Sequence, residues 1–303
     1  MAFGSAGIFI AMIDLHTHST YSDGTQNVAD LIEDAHEHKI DVLSLTDHDS
    51  IEGLTEAREQ ATRSGIKLVA GVEITTQKNG KTLHLLGYNF DQNNAELNEL
   101  LTHLRDNRRQ KMTLKLESLN ELFRKEGKVT IDIDQALKDM KHHNLGTAIG
   151  YLEKHGFAKD KDEAAAYLHG ITFRAPNVLT EDVIRIVHQA GGLAVLAHPL
   201  APKISIRNIT QESREIVQII TDLKKSDLDG LECFQSSHFE QDEQIAYQIA
   251  RDLKLIVTAG SDWHGPLEEK GKSILQYIPR YAAHIGAIDI PPLEVENMLS
   301  VFK

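Results

Sequence analysis

Seven apolar runs rich in β-branched residues recur along the chain: FIAMIDLH (9–16), IDVLSLTDHD (40–49), IKLVAGVEI (66–74), TLHLLGY (82–88), LAVLAHP (193–199), LDGLECF (228–234) and LKLIVTAGSDWH (253–264). Most are continuous rather than alternating, as strands buried on both faces are. Helical spacing fills the gaps. NVADLIEDAHEHK places Val28, Leu31, Ile32 and Ala35 on one face, and GLTEAREQATRSG stops on Gly65. TEDVIRIVHQAGG opens with Thr180 as a candidate N-cap and closes on Gly191 and Gly192, and EQDEQIAYQIARDL follows the same pattern. Strand then helix, repeated this often, predicts an α/β fold with a mainly parallel sheet, closed as a barrel.

The alternation breaks between about residues 93 and 178. A long amphipathic stretch, AELNELLTHLRDNRRQKMTLKLESLNELFRKEG, is followed by shorter helical patterns at 134–143, 146–155 and 161–169. This reads as an all-helical insertion (93–178) dividing a barrel of residues 12–92 and 179–290, with both insertion ends expected near one rim. Residues 1–11 form an extension, with Met12 an alternative start; the apolar MAFGSAGIFIAMI lacks a basic leader and is too short to span a bilayer.

Composition narrows the partners. The 303 residues carry a formal net charge of -13, which argues against a long duplex nucleic acid and leaves small anions to be held by local cations. The single cysteine, Cys233, rules out a disulfide framework, reads as a small buried hydrophobe and fits a reducing, cytoplasmic setting. No segment predicts a membrane span, and nothing specifies an oligomeric state.

The 16 histidines matter by position. His16 and His18 end the first run, Asp47 and His48 the second, Glu73 the third; His84 lies within the fourth, His198 ends the fifth, and Asp262 and His264 end the last. Asp23 follows the first in an Asp-Gly turn. Each is an ordinary core or turn residue if taken alone. Together they line the C-terminal strand ends, the rim where β/α barrels build active sites, and clustered carboxylates are costly there unless cations hold them. Imidazole and carboxylate without thiolate suit Mn²⁺, Fe²⁺ or Zn²⁺ rather than a closed structural zinc. The candidates exceed one ion's needs, so two or three divalent metals are expected, Mn²⁺ first, with Glu73 as a bridge.

DLHTHSTYSDG, TDHDSIEG, GVEIT, LHLLGY, LAHP and GSDWHG occur in an order that resembles the PHP (polymerase and histidinol phosphatase) superfamily over residues 12 to 265, most closely its stand-alone bacterial phosphoesterases. The resemblance implies a distorted (β/α)₇ barrel with a helical insertion. It implies one metal at His16, His18, Glu73 and Asp262, a second sharing Glu73 with His84 and His198, and a third at Asp23, His48 and His264, with no ligand position missing. Asp23, Glu73 and His264 are then the catalytic centre, and Asp47 orients a ligand imidazole or caps a helix.

The same resemblance implies hydrolysis of phosphate esters by a metal-activated hydroxide, the substrate being a 3′,5′-nucleoside bisphosphate, a nucleoside monophosphate or a short oligoribonucleotide trimmed as by an exoribonuclease. Histidinol phosphate is the alternative within the class; an amidohydrolase reaction is the alternative outside it, although no strand-end lysine offers the bridge those enzymes often use. A non-catalytic PHP module supporting a partner is disfavoured by the complete ligand set. Such nucleotide enzymes often carry Arg-Pro-His in the insertion and Gly-Arg-Tyr after the AHP; here NLGTAIGYLEKHG and AHPLAP stand instead. Arg109, Arg174, Lys203 and Arg207 are the candidate replacements for gripping a second phosphate.

Overall fold

The computed structural model describes residues 11–140, 142–169, 171, 178–202, 204–266 and 282–302. Seven strands follow one another around a nearly closed sheet: β1 (Ile13–Thr17), β2 (Val42–Leu45), β3 (Lys67–Lys78), β4 (Lys81–Tyr88), β5 (Leu193–Leu196), β6 (Gly230–Gln235) and β7 (Ile256–Gly260). Beyond β7 the chain returns to β1, where the His18 N–H donates to the Trp263 carbonyl at 2.8 Å. Helices α1 (Val28–Glu37), α2 (Leu54–Ser64), α7 (Thr180–Gln189), α8 (Ser213–Lys225) and α9 (Glu240–Asp252) flank the strands, and α10 (Pro292–Val301) packs near β7. The barrel expected from the runs, with the distortion that the resemblance implies, is the fold observed.

The sheet departs from parallel at one strand. β4 runs antiparallel to both β3 and β5. The cause is local: Lys78 pairs with Lys81 across Asn79 and Gly80, whose φ values of 52° and 72° both lie in the left-handed region. An Asn-Gly pair with two positive φ angles is the favoured two-residue hairpin turn, because its twist matches that of the strands. The reversal changes where side chains emerge. His84, four residues into β4, reaches the rim that the other strands reach at their ends. Glu73 lies mid-strand in the twelve-residue β3, not at its end.

The long stretch forms one helix, α3 (Ala95–Lys125), capped by the Asn94 side chain, followed by α4 (Ile133–Asp139), α5 (Leu145–Lys154) and α6 (Lys161–His169). At 1.5 Å per residue α3 is about 46 Å long. Leu97, Leu100, Leu101 and Leu104 near its start belong to the barrel core. Met112, Leu116, Leu119 and Phe123 belong to a separate core shared with α4, α5 and α6. The ends of residues 93–178 lie at opposite ends of the barrel, contrary to the single-rim expectation. Asn94 donates to the Gln189 carbonyl beside the start of β5, whereas the Val178 carbonyl accepts from Gln77 near the end of β3. Thr180 is the first residue of α7 rather than its cap; Leu179 holds the cap position, and the Thr180 hydroxyl meets those of Thr76 and the Gln77 carbonyl.

Candidate metal centre

β1 alternates, so Asp14 and His16 share a face that His18 continues. That face meets β3, β4 and the loops after β2, β5 and β7, and all six predicted histidine ligands converge directly on two of the three predicted carboxylates, Glu73 and Asp262. Glu73 Oε1 lies 2.8 Å from His84 Nδ1 and 2.9 Å from His198 Nε2. Glu73 Oε2 lies 2.9 Å from His48 Nδ1, 3.3 Å from His18 Nε2 and 3.4 Å from His16 Nε2. Asp262 Oδ1 lies 3.1 Å from His18 Nε2, 3.3 Å from His16 Nε2 and 3.5 Å from His264 Nδ1. The ninth, Asp23, stands 3.2 Å from His264 Nε2 and 3.9 Å from His48 Nε2.

Three compact groups result: His16, His18, Glu73 and Asp262; His18, Asp23, His48 and His264; and His48, Glu73 and His84. The first matches the expected first site. The second adds His18 to the expected third. In the last, His48 stands where His198 was expected, and His198 joins through its own contact with Glu73. His48 turns one ring nitrogen toward Glu73 and the other toward Asp23, so it faces two groups at once.

The donor set fits divalent metals on two physical grounds. Donors around one ion at about 2.0–2.2 Å stand about 3.0–3.5 Å apart, the range of most of these contacts. In addition, Nε2 of His16 and His18, Nδ1 of His48, His84 and His198, and Glu73 Oε2 are buried without hydrogen bonds of acceptable geometry. Buried polar atoms in that condition are costly and call for a partner.

The protons record the same crowding. Burial would raise the Glu73 carboxyl, but His48, His84 and His16 hold it well below the carboxylate range. Burial, with His264 beside it, brings His18 down to about 3, whereas His48, despite burial, is pushed up to about 9 by Glu73 and Asp23. Burial lowers His84.

A supporting layer fixes these side chains. Asp47 Oδ1 accepts from the Ser19 N–H at 2.8 Å and the Ser22 hydroxyl at 2.6 Å, and its other oxygen accepts from the Ser19 hydroxyl. Asp47 therefore clamps the loop carrying His18 and Asp23 and reaches an imidazole only through Ser22, which lies 3.4 Å from His18 Nδ1. Asp14 binds the Ser261 backbone and hydroxyl, just before Asp262. His198 and Asp262 have φ values of 28° and 55°, left-handed backbone that non-glycine residues adopt at a cost of about 1–3 kcal/mol and that clusters at functional sites. Glu232, unnoticed in the run LDGLECF, lies behind His16 at 2.9 Å. A charged residue in an otherwise apolar strand was the available signal. Cys233 beside it is buried, its thiol pushed up by burial.

The candidate phosphate-gripping cations fare differently. Arg109 is exposed on α3. One residue earlier, Arg108 binds Asp49 Oδ2 at 2.7 Å and the Thr75 hydroxyl at 2.9 Å, at the edge of the cluster. Lys111, a turn further, is lowered by burial and then by Arg108. Arg207 is committed elsewhere, to the Asp242 carboxylate and the Leu200 carbonyl, so it is not a free cation. Arg174 and Lys203 lie outside the described residues.

Comparison with known proteins agrees with this geometry. A 5′-3′ exoribonuclease of Haemophilus influenzae is 30% identical over 86% of this chain and 93% of its own. A phosphoribosyl 1,2-cyclic phosphate 1,2-diphosphodiesterase of Eggerthella lenta is 29% identical over 83% of this chain and 94% of its own. A 3′,5′-nucleoside bisphosphate phosphatase of Chromobacterium violaceum is 28% identical over 86% and 89%. A solved structure from Bifidobacterium adolescentis, described as a metal-dependent phosphoesterase, superposes with a TM-score of 0.75 at 26% identity and covers 95% of both chains. The PHP domain model matches residues 14–258, which include every histidine and carboxylate of the cluster but Asp262 and His264, and the chain belongs to the PHP domain family.

Proposed function

We propose that this chain is a metal-dependent phosphoesterase acting on nucleotides: 3′,5′-nucleoside bisphosphates, nucleoside monophosphates or short oligoribonucleotides. The observation that carries the reading is the convergence of five imidazoles on Glu73. Two or three divalent cations, Mn²⁺ first and Zn²⁺ or Fe²⁺ next, fit the donors, with His16, His18, Asp23, His48, Glu73, His84, His198, Asp262 and His264 as ligands. When bound, such cations neutralise phosphoryl oxygens and acidify a water for attack.

The chain's own residues supply the rest. Glu73, almost fully buried, anchors the centre. Asp23 is the most open carboxylate of the cluster, 26% exposed against 15% for Asp262 and 1% for Glu73, so the ester enters on the Asp23 and His264 side. Arg108 of α3, paired with Asp49 at the edge of the cluster, and Lys111 one turn further are the cations proposed for the remaining substrate charge. The insertion, residues 93–178, forms one wall of the pocket. The supporting comparison is with relatives that act on phosphate esters of nucleotides or ribose phosphates. Glu73 has imidazoles and no lysine among its side-chain partners in the described residues, which supports this reading over an amidohydrolase. Among the described residues no helix is long and apolar enough to cross a membrane.

The test is phosphate release with Mn²⁺ across nucleoside mono- and bisphosphates, a 1,2-cyclic ribose phosphate, short RNAs and histidinol phosphate, beside an amide and lactone panel. Turnover confined to the amide or lactone panel overturns the reading.

A further inference from the structure

Glu232 is fully buried in β6, yet it belongs to none of the three ligand groups. Its two oxygens serve one residue of β1 and one of the loop after β5. Oε1 lies 2.9 Å from His16 Nδ1, and Oε2 accepts the backbone N–H of His198 at 2.7 Å. His198 is the residue with φ of 28°. Across from this pair, β7 carries Gly260, where a Cβ would fall 2.2 Å from His16 Cβ and 2.9 Å from Glu232 Oε1. The fold leaves room for the carboxylate and the imidazole to meet.

We infer that Glu232 is a positioning residue that selects the ring nitrogen His16 offers to a metal. The inference rests on the metal-site reading above. Accepting from Nδ1–H, the carboxylate leaves the His16 lone pair on Nε2, the atom that faces Glu73 and Asp262. A carboxylate of this kind behind a ligand imidazole fixes tautomer and ring orientation and raises ligand basicity. What sets Glu232 apart is that it has two donors to satisfy, one on each oxygen. An amide cannot replace it. Glutamine has one acceptor oxygen and one NH₂ group, so the NH₂ must face either the His198 N–H or His16 Nδ1. The first arrangement sets donor against donor beside a strained turn. The second forces the proton of His16 onto Nε2 and removes the lone pair from the metal side.

The experiment measures Mn²⁺ and Zn²⁺ affinity and stoichiometry by competition with a chelator, for the parent, Glu232→Gln, His16→Gln and the double variant, with thermal unfolding of each metal-free protein. Glu232→Gln is expected to weaken one metal equivalent by roughly 10–100-fold. In the His16→Gln background the same change is expected to weaken binding by less than about threefold, because the imidazole it acts through is gone. A purely structural role would lower affinity equally in both backgrounds, and that result overturns the inference. So does a metal-binding parent whose Glu232→Gln variant binds equally well. If Glu232→Gln does not fold, Glu232→Asp gives the comparison, since it keeps both acceptors but withdraws them by one methylene; it too should weaken metal only where His16 is present. A parent that binds no divalent metal overturns the metal reading itself, a separate outcome from a normal parent with an unaffected variant.

Discussion

The barrel rim and the core of the helical insertion are built on opposite principles. The insertion buries Met112, Leu116, Leu119, Phe123, Leu137 and Leu152 against one another, and its buried Asn120 is satisfied on both sides by the backbone of Ile131. Among its described residues positive φ falls only on Gly127 and Gly156. The rim buries Glu73 among five imidazoles, leaves polar atoms without hydrogen bonds and holds His198 and Asp262 in left-handed backbone. One region satisfies its buried groups from within. The other leaves buried donors and acceptors that divalent metals would satisfy, and the two should respond differently to the same perturbations.

The largest difference is expected at Glu73. Glu73→Gln keeps the shape and removes the charge on which five imidazoles converge. Activity should fall on the order of 10³-fold, the equivalent of several kcal/mol of lost charge stabilisation. A variant that turns over at the parent rate would remove Glu73 from the centre. In the insertion, Leu116→Ala should behave conversely: a loss of about 2–5 kcal/mol in stability, read by denaturant unfolding, with metal stoichiometry unchanged.

Metal removal should separate the regions next. Saturating divalent metal at about 100 times its dissociation constant stabilises the native state by about 2.7 kcal/mol per independent site. Chelation should therefore lower Tm in the parent and by as much in Leu116→Ala, but by less in Glu73→Gln, which keeps only the group of His18, Asp23, His48 and His264 intact. An equal chelation shift in all three would place the metal somewhere other than this rim.

The same contrast explains what the sequence could disclose. Burial patterns are periodic, so the strands and helices were legible in Leu31, Ile32 and Ala35 or in Val183 and Ile184. Ligand residue types are scarce, so the cluster was legible in HTH, TDHD and GSDWH. Direction and contact were harder. Asn79-Gly80 marks a hairpin, but the repeating strand-helix pattern predicts only a mainly parallel sheet and does not single out β4 as the reversed strand. Glu232 hid in an apolar run because a positioning carboxylate has no motif of its own. Arg108 and Arg109 are adjacent in sequence but about 100° apart around a helix, and only the packing of α3 against Asp49 decides between them. The insertion's opposite-end attachment depended on that strand reversal and could not be read without it.

A smaller effect is expected where α3 passes the rim. Arg108→Ala and Lys111→Ala should each raise KM for a bisphosphate more than for a monophosphate, by about 1.5–3 kcal/mol in kcat/KM if a charged hydrogen bond is lost. Arg109→Ala should change neither, since that side chain is exposed. Equal effects on both substrates would show that the two cations serve Asp49 and the fold rather than a second phosphate.

The smallest effect concerns a second contact that joins the regions. Asn144 caps α5, its Oδ1 accepting from the Thr147 N–H at 2.8 Å, while its Nδ2 donates to the Ser22 carbonyl. Ser22 in turn lies between Asp47 and His18. One side chain therefore serves the insertion's stability with one atom and the rim's geometry with another, and two substitutions can part them. Asn144→Asp keeps an oxygen for the cap and sets a carboxylate oxygen against the Ser22 carbonyl; Asn144→Ala removes both functions. Asn144→Ala should cost about 1 kcal/mol of stability from the cap, with Asn144→Asp near the parent. Activity should order differently, with both variants reduced several-fold, because each loses the donor to Ser22, worth about 1 kcal/mol. Unfolding and kcat/KM measured on the same three proteins decide the matter: if activity follows stability, so that Asn144→Asp is as active as the parent, then the insertion and the rim are energetically separate and the Ser22 contact carries no coupling between them.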